Sequence, residues 1–255
     1  GQTVLVDHNL VLKAKAWQTP LGQSEIRTEV YNFRGYTKQD LLVGSATDQA
    51  VYQFDGITGV QVGVFGDAQN LGATPFGLSI SSNNYLFISL KELGQVNRYD
   101  ATTGAAAPAA GKTGATFESA GAGGLGNATG VIARSDHLYV ADSTNGSIKR
   151  YSLTSGSYVD DFLAGGVAEA AGIAFDSSGY LYVMCRNDNV VKKFSSTGVY
   201  VTAFGADTVG RGYGAVFGPS GNLYVGANIN SSIAMFDEDG VSLGSFATVY
   251  SPVGV

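Results

Sequence analysis

Short runs of alternating apolar residues, separated by polar turns, recur along this chain at a nearly fixed spacing. Five runs share one pattern, and they begin Leu41-Leu42-Val43-Gly44, Leu86-Phe87-Ile88-Ser89, Leu138-Tyr139-Val140-Ala141, Leu181-Tyr182-Val183-Met184 and Leu223-Tyr224-Val225-Gly226. Their first residues lie 45, 52, 43 and 42 residues apart, which matches the period of about 40–50 residues that propeller blades show. The repeat predicts an all-β propeller rather than a β-sandwich, since a sandwich does not repeat a four-strand unit five times.

Each repeat predicts four antiparallel strands, named A to D in chain order. Strand B is the Leu-led run, and strand A precedes it with a glycine, at Gly77, Gly130, Gly172 and Gly214. Glycine suits strand A because the inner strands of a propeller crowd the axis. Strand C is predicted at residues 50–55, 95–100, 147–152, 190–195 and 232–237, and strand D follows a Gly-containing turn.

The two ends of the chain decide the predicted number of blades. Residues 251–255 copy strand A but have no strand B after them, and residues 3–7 resemble a strand B. Strands from both termini would then share a last blade and close the ring, which leaves no exposed edge there. We therefore predict six blades in a single domain spanning residues 1–255, of which residues 40–255 carry the repeats. Only 36 residues separate Leu5 from Leu41, so five or seven blades remain open.

The N-terminal arm, residues 1–39, is the part that the repeat explains least. Further strands are predicted at residues 10–17 and 26–33. The arm either closes its own ring or pairs with a neighbouring subunit by β-augmentation, which would make the protein self-associate.

The composition excludes several classes of function. The single Cys185 excludes an intramolecular disulfide framework and a multi-Cys zinc site. A net charge of -6 argues against nucleic-acid binding. The longest apolar runs are far shorter than the roughly 20 residues of a transmembrane helix. High Gly content, low charge, the single Cys and short polar loops favour a secreted or cell-surface protein. The start at Gly1 rather than Met indicates either a removed signal peptide or a trimmed chain.

Two segments carry a family resemblance. Residues 171–183, Ala-Gly-Ile-Ala-Phe-Asp-Ser-Ser-Gly-Tyr-Leu-Tyr-Val, and residues 130–142 resemble the NHL repeat of secreted bacterial propellers, a group that includes streptogramin-lyase-like proteins. The resemblance covers residues 40–255 and implies the propeller fold. The NHL pattern expects an Asp at the end of strand B, and only Asp142 provides it. Because such propellers host binding scaffolds as well as lyases, the resemblance does not decide the function.

A ligand is expected on the face formed by the B–C and D–A loops, which vary most between repeats. These loops are rich in Asn, Asp, Thr and Gln, a composition that suits a protein or glycan ligand and suits plain solvation equally. The predicted ligand-binding residues are Asp48, Asn145, Asn187, Asp188, Arg211, Tyr213 and Asn228.

Catalysis is not expected from this sequence. The strand A segments that should line the tunnel carry no ionisable group, whereas propeller enzymes need titratable groups in a cleft. His137 is predicted on the opposite face, His8 lies on the arm, and Cys185 is predicted to be a buried, inert thiol. We predict a non-catalytic binding or structural scaffold with no cofactor and no metal. The alternative is a lyase or hydrolase of the streptogramin-lyase-like type.

Overall fold

A computed structural model describes residues 29–30, 40–250 and 252 of the chain. These residues form five antiparallel sheets of four strands, each strand hydrogen-bonded to the next one in the sequence. The first blade consists of β1 (Glu29–Val30), β2 (Leu41–Ser45), β3 (Ala50–Phe54) and β4 (Gln61–Val64), and the second of β5 (Pro75–Ile80), β6 (Tyr85–Leu90), β7 (Gln95–Asp100) and β8 (Thr116–Glu118). The third blade consists of β9 (Ala128–Arg134), β10 (His137–Asp142), β11 (Ser147–Ser152) and β12 (Tyr158–Leu163), and the fourth of β13 (Ala170–Phe175), β14 (Leu181–Cys185), β15 (Val190–Phe194) and β16 (Tyr200–Phe204). The fifth blade consists of β17 (Gly212–Phe217), β18 (Leu223–Ala227), β19 (Ser232–Phe236) and β20 (Ser242–Thr248). Short 3₁₀ helices occupy Lys91–Leu93 and Ala122–Gly124.

The predicted all-β propeller of four-stranded blades is confirmed, but the prediction of six blades is wrong, because the described residues form five. The two-residue strand β1 pairs with β2 in the register Glu29 with Val43 and Val30 with Leu42. This part of the N-terminal arm therefore supplies strand A of the first blade. The predicted strands at residues 3–7 and 10–17 lie outside the described residues, as do residues 251 and 253–255.

The inner strands crowd one another at glycine. A methyl group on Gly77 would lie 2.6 Å from the Thr129 carbonyl oxygen of the next blade, and one on Gly130 would lie 2.5 Å from the Ala171 carbonyl oxygen. A methyl group on Gly172 would meet the Tyr213 carbonyl oxygen in the same way. The repeated glycine is therefore the residue that allows successive blades to approach at the axis, as the sequence predicted.

Hydrophobic clusters between neighbouring blades form the core. Leu42 and Val51 of the first blade, for example, pack with Leu78, Leu86 and Ile88 of the second. Equivalent clusters join the second blade to the third, the third to the fourth and the fourth to the fifth. The outermost strands β4, β16 and β20 are mostly exposed instead, because each has a neighbour on one side only. The outermost strand of the second blade, β8, is mostly buried. Burial thus fixes the blades face to face and leaves the loops at the two ends of the ring to carry function.

Candidate functional site: the mouth of the tunnel

Two aromatic rings meet across the tunnel on the face that carries the B–C and D–A loops. Phe76 and Tyr213 each precede the strand A glycine of their blade, in β5 and β17. Their ring centroids lie 6.3 Å apart, and the ring planes differ by 28°. The second and fifth blades of a five-bladed ring are not neighbours, so this contact crosses the axis. The two rings therefore cover the mouth of the tunnel.

A cation lies against each of these rings. The Lys91 ammonium is 5.7 Å from the centroid of the Phe76 ring, and the Arg186 guanidinium carbon is 4.2 Å from the centroid of the Tyr213 ring. Arg186 Nη2 also donates a hydrogen bond of 2.7 Å to the Tyr213 hydroxyl. Lys91 and Arg186 hold the same repeat position, the first residue after strand B, so the fold brings both to the mouth. Such cation–π contacts contribute about 0.5–2 kcal/mol each, depending on how far they are desolvated.

Glu169 brings a negative charge to the same place from the D–A loop between β12 and β13. Its Oε1 atom lies 3.7 Å from Arg186 Nη1, and the Arg186 side chain is only 9% exposed. Glu169 has a φ of 49°, a left-handed conformation that costs a non-glycine residue energy. The charged groups of the mouth thus come from the loops, while the described strand A segments provide the aromatic rings.

Of the predicted ligand-binding residues, Tyr213 lies in this cluster. Asp48 accepts hydrogen bonds from Ser45 Oγ (2.9 Å) and Tyr52 Oη (3.0 Å), within its own hairpin. Asp188 forms an ion pair of 2.6 Å with Lys192. These carboxylates brace the loop face from within their own blades, and their role in ligand binding stays a prediction.

The remaining predicted residues also lie on this face. Asn145 Nδ2 donates to Asp142 Oδ2 (2.7 Å) and to the Gly124 carbonyl (2.9 Å). Asn228 Nδ2 lies 3.4 Å from the Pro252 carbonyl oxygen. Arg211 and Asn187 are exposed. Ligand contacts by these four residues likewise stay predictions.

Sequence reasoning missed Phe76, Lys91, Glu169 and Arg186. A comparison of the repeats position by position would have found the two cations, since the residue after strand B is Ala46, Lys91, Ser143, Arg186 and Asn228 in the five blades. The aromatic pair was harder to find. Its two members are separated by three blades of sequence and meet only when the ring closes.

The groups considered for catalysis lie elsewhere or are inert. His137 begins β10, beside the A–B turn on the opposite face, and His8 is outside the described residues. Cys185 is 1% exposed, and burial raises the pKa of its thiol to about 12, so the thiolate is scarce at neutral pH. Among the described residues, His, Cys, Asp and Glu form no group of three that could hold a metal ion.

A buried carboxylate lies at the end of β8, near the same face. Glu118 is 3% exposed and accepts a hydrogen bond of 2.8 Å from the Ser119 amide. Burial raises the pKa of Glu118 above its ordinary value of 4.5, although this hydrogen bond and Lys112 oppose the rise. Because the folded protein favours the protonated form of Glu118, this carboxyl group stabilises the fold at pH values below its ordinary pKa. The stabilisation is lost as the pH rises through the pKa that Glu118 has in the folded state.

Glu118→Gln should therefore remove a pH-dependent loss of stability. Relative to the wild type, the variant is expected to become more stable as the pH rises from about 4 to 7, because glutamine does not ionise. Urea unfolding at a series of pH values measures this difference. Glu92→Gln is the control of opposite sign: burial raises the pKa of Glu92 in part, but hydrogen bonds from Thr74 lower it overall. If the two variants change in the same direction with pH, the assignment is wrong.

These features define the class of protein as a five-bladed β-propeller with an aromatic and charged tunnel mouth. No protein-family model and no curated protein matches the chain. In the described part of the chain, no helix is long and apolar enough to cross a membrane.

Solved structures show the same fold. A nidogen/laminin complex matches with a TM-score of 0.67 and 13% identity, over 86% of this chain and 83% of that chain. Virginiamycin B lyase from Staphylococcus aureus, in an inactive form with quinupristin, matches with a TM-score of 0.62 and 13% identity, over 96% of this chain and 77% of that chain. A streptogramin B lyase matches with a TM-score of 0.61 and 13% identity, over 84% and 66%. The chain is thus a β-propeller that resembles NHL-like and streptogramin-lyase-like proteins, and its structural neighbours include lyases and a propeller from a protein complex.

Proposed function

We propose that this protein is a non-catalytic binding propeller of the cell surface or extracellular space, which holds a protein or glycan ligand over its tunnel mouth. The observation that carries the proposal is the contact between Phe76 and Tyr213, with Arg186 against the Tyr213 ring. Amphipathic aromatics and arginine are the residue types that dominate binding energy at interfaces. The half-buried rings offer a stacking surface, and the surrounding polar loops offer hydrogen bonds.

The absence of catalysis is part of the same proposal. A lyase or hydrolase would need both an acid and a base near the ligand. The carboxylate described at the mouth, Glu169, lies against Arg186 instead of a partner acid. The histidine of the described residues, His137, lies on the face away from the mouth. Similarity to the lyases at 13% identity concerns the fold alone. Incubation with quinupristin is expected to give no product by mass spectrometry, and product formation would contradict a non-catalytic role.

Tyr213→Ala should weaken ligand binding about tenfold or more, since truncating an interface tyrosine often costs 2 kcal/mol or more. A glycan array and a panel of secreted proteins identify the ligand, and calorimetry then measures the affinity of each variant. Tyr200→Ala is the matched control, because Tyr200 is 56% exposed on the outer strand β16. Equal affinities for the two variants, or chemical-shift changes confined to the A–B and C–D turns, would refute binding at the mouth.

Self-association through the N-terminal arm is a separate part of the proposed role. Apart from Glu29 and Val30, the arm lies outside the described residues, so its pairing stays a prediction. Because these two residues form the inner strand of the first blade, a truncation that spares the ring must end before them. Light scattering measures the assembly mass of the full chain and of a chain lacking residues 1–20. An assembly that only the full chain forms would support pairing through the arm, and the same number of subunits in both would exclude it.

A further inference from the structure

The charged pair at the tunnel mouth is incompletely satisfied. Three buried side-chain atoms of the described residues have no hydrogen-bond partner, and two of them are Arg186 Nε and Glu169 Oε2. The two side chains approach through Arg186 Nη1 and Glu169 Oε1, which lie 3.7 Å apart and therefore too far for a hydrogen bond. Buried charged groups are usually fully hydrogen-bonded, so this pair requires an explanation.

Glu169 is held beside Arg186 through its backbone. Arginine and a carboxylate normally form two parallel hydrogen bonds, from two guanidinium nitrogens to two oxygens. The Glu169 backbone is held in the left-handed region at a φ of 49°, and its carbonyl accepts the Arg186 amide at 3.4 Å. The Glu169 carboxylate lies beside the guanidinium and neutralises its charge without forming the paired bonds.

We propose that the tunnel mouth recognises a carboxylate group of its ligand, which takes the place of Glu169 on the Arg186 guanidinium. Two parallel bonds can form along the guanidinium edge made by Nε and Nη2, and Nε is buried in this structure, where Glu169 lies against the guanidinium. Once Glu169 turns away, the ligand carboxylate accepts both bonds along this edge. The Glu169 side chain is 32% exposed, so it can turn towards solvent when it is displaced. This inference rests on the proposed function and names the chemistry of the group that the mouth holds.

The surroundings of Arg186 favour an organic carboxylate over a small inorganic anion. The Tyr213 ring lies 4.2 Å from the guanidinium carbon, and Phe76 continues the aromatic surface across the axis. An apolar or aromatic portion next to the carboxylate would pack on these rings. Lys91, whose ammonium lies 5.7 Å from the centroid of the Phe76 ring, adds a second cation. Since the whole chain carries a net charge of -6, general electrostatic attraction does not draw anions to it, and recognition must be local.

The first test uses benzoate as the probe, with benzamide and inorganic phosphate as comparisons. Titration of the full-length, isotope-labelled protein is expected to show saturable shifts at Arg186, Tyr213 and Phe76 with benzoate. Benzamide, which has the same ring without the charge, is expected to bind at least tenfold more weakly, and phosphate likewise. Equal binding of benzoate and benzamide would overturn the inference, and equal binding of phosphate would show a site for any anion and overturn it too.

The second test changes the two charged residues. Arg186→Gln should weaken benzoate binding at least tenfold, with thermal unfolding measured to confirm that the variant folds. Glu169→Gln should strengthen it several-fold, because the internal competitor loses its charge. Asp160→Asn is the matched control, since it removes the same charge from an exposed ion pair with Arg150 on the outer strand β12. A purely structural Glu169 would not raise the affinity, so equal affinities in Glu169→Gln and Asp160→Asn would overturn the inference.

The outcomes separate this inference from the proposed function. A macromolecular ligand that depends on Tyr213 but binds Arg186→Gln unchanged would overturn carboxylate recognition and leave the binding module intact. Benzoate binding with the expected responses to both variants, but without any macromolecular ligand at the mouth, would support carboxylate recognition and contradict the proposed function.

Discussion

Asp142→Ala is expected to lower the free energy of unfolding by about 3–5 kcal/mol, because the carboxylate is a buried acceptor for several donors. Asp142 is fully buried. Its Oδ1 atom accepts the amides of Thr144 (3.1 Å) and Asn145 (3.2 Å), and its Oδ2 atom accepts the Gly126 amide (3.0 Å) and Asn145 Nδ2 (2.7 Å). Alanine leaves these donors without an acceptor. Thermal unfolding should show a midpoint lower by about 10 °C.

Two variants control this prediction. Asp142→Asn keeps one carbonyl oxygen but turns an amide group towards donors, so its cost should be intermediate. Asp48→Ala removes an exposed carboxylate from the equivalent hairpin of the first blade, where Ser45 occupies the position of Asp142. Its cost should be below about 1 kcal/mol. If Asp142→Ala is no more destabilising than Asp48→Ala, the buried carboxylate does not fix the loop.

Asp142 also shows why the NHL-like resemblance described the fold better than the function. The carboxylate ties the B–C loop of the third blade to the preceding D–A loop through Gly126. In the other blades that position holds Ser45, Leu90, Cys185 and Ala227, all of them buried. The Asp that ends strand B in the NHL pattern therefore joins the B–C loop to the D–A loop. Blades without this Asp join their loops through other contacts.

The strands could be predicted because their causes are local. Each strand B and strand C in the structure falls on the segment predicted for it. Both signals, the alternation of apolar residues and the turn between the two strands, are visible within a few residues of sequence. The C–D turn of the second blade is an example: Asp100 Oδ1 accepts the amides of Thr102 (2.9 Å) and Thr103 (2.8 Å). In the C–D turn of the fifth blade, Asp237 Oδ1 likewise accepts the amides of Asp239 (3.0 Å) and Val241 (2.8 Å).

The blade number and the tunnel mouth could not be predicted in this way, because both depend on how the ring closes. A strand was predicted at residues 26–33, and β1 (Glu29–Val30) lies within it, but a strand of two residues shows no alternation that would assign it to the first blade. The mouth joins Phe76 to Tyr213 and Arg186 to Glu169, and these contacts link different loops and blades. Their charges and rings follow no period. Only the repeat position of Lys91 and Arg186 held a usable signal.

Gly172→Ala should destabilise the protein by about 1–3 kcal/mol or more, because the added methyl group has no room between two inner strands. It would meet the Tyr213 carbonyl oxygen and the backbone of Gly214, and backbone atoms cannot turn aside as a flexible side chain can. The same substitution at an open position with ordinary backbone angles usually stabilises a protein slightly. Gly165→Ala is such a control, since nothing lies within 4 Å of the added carbon. Urea unfolding of both variants measures the difference. If Gly172→Ala matches Gly165→Ala, the glycines of strand A do not set the approach of the blades.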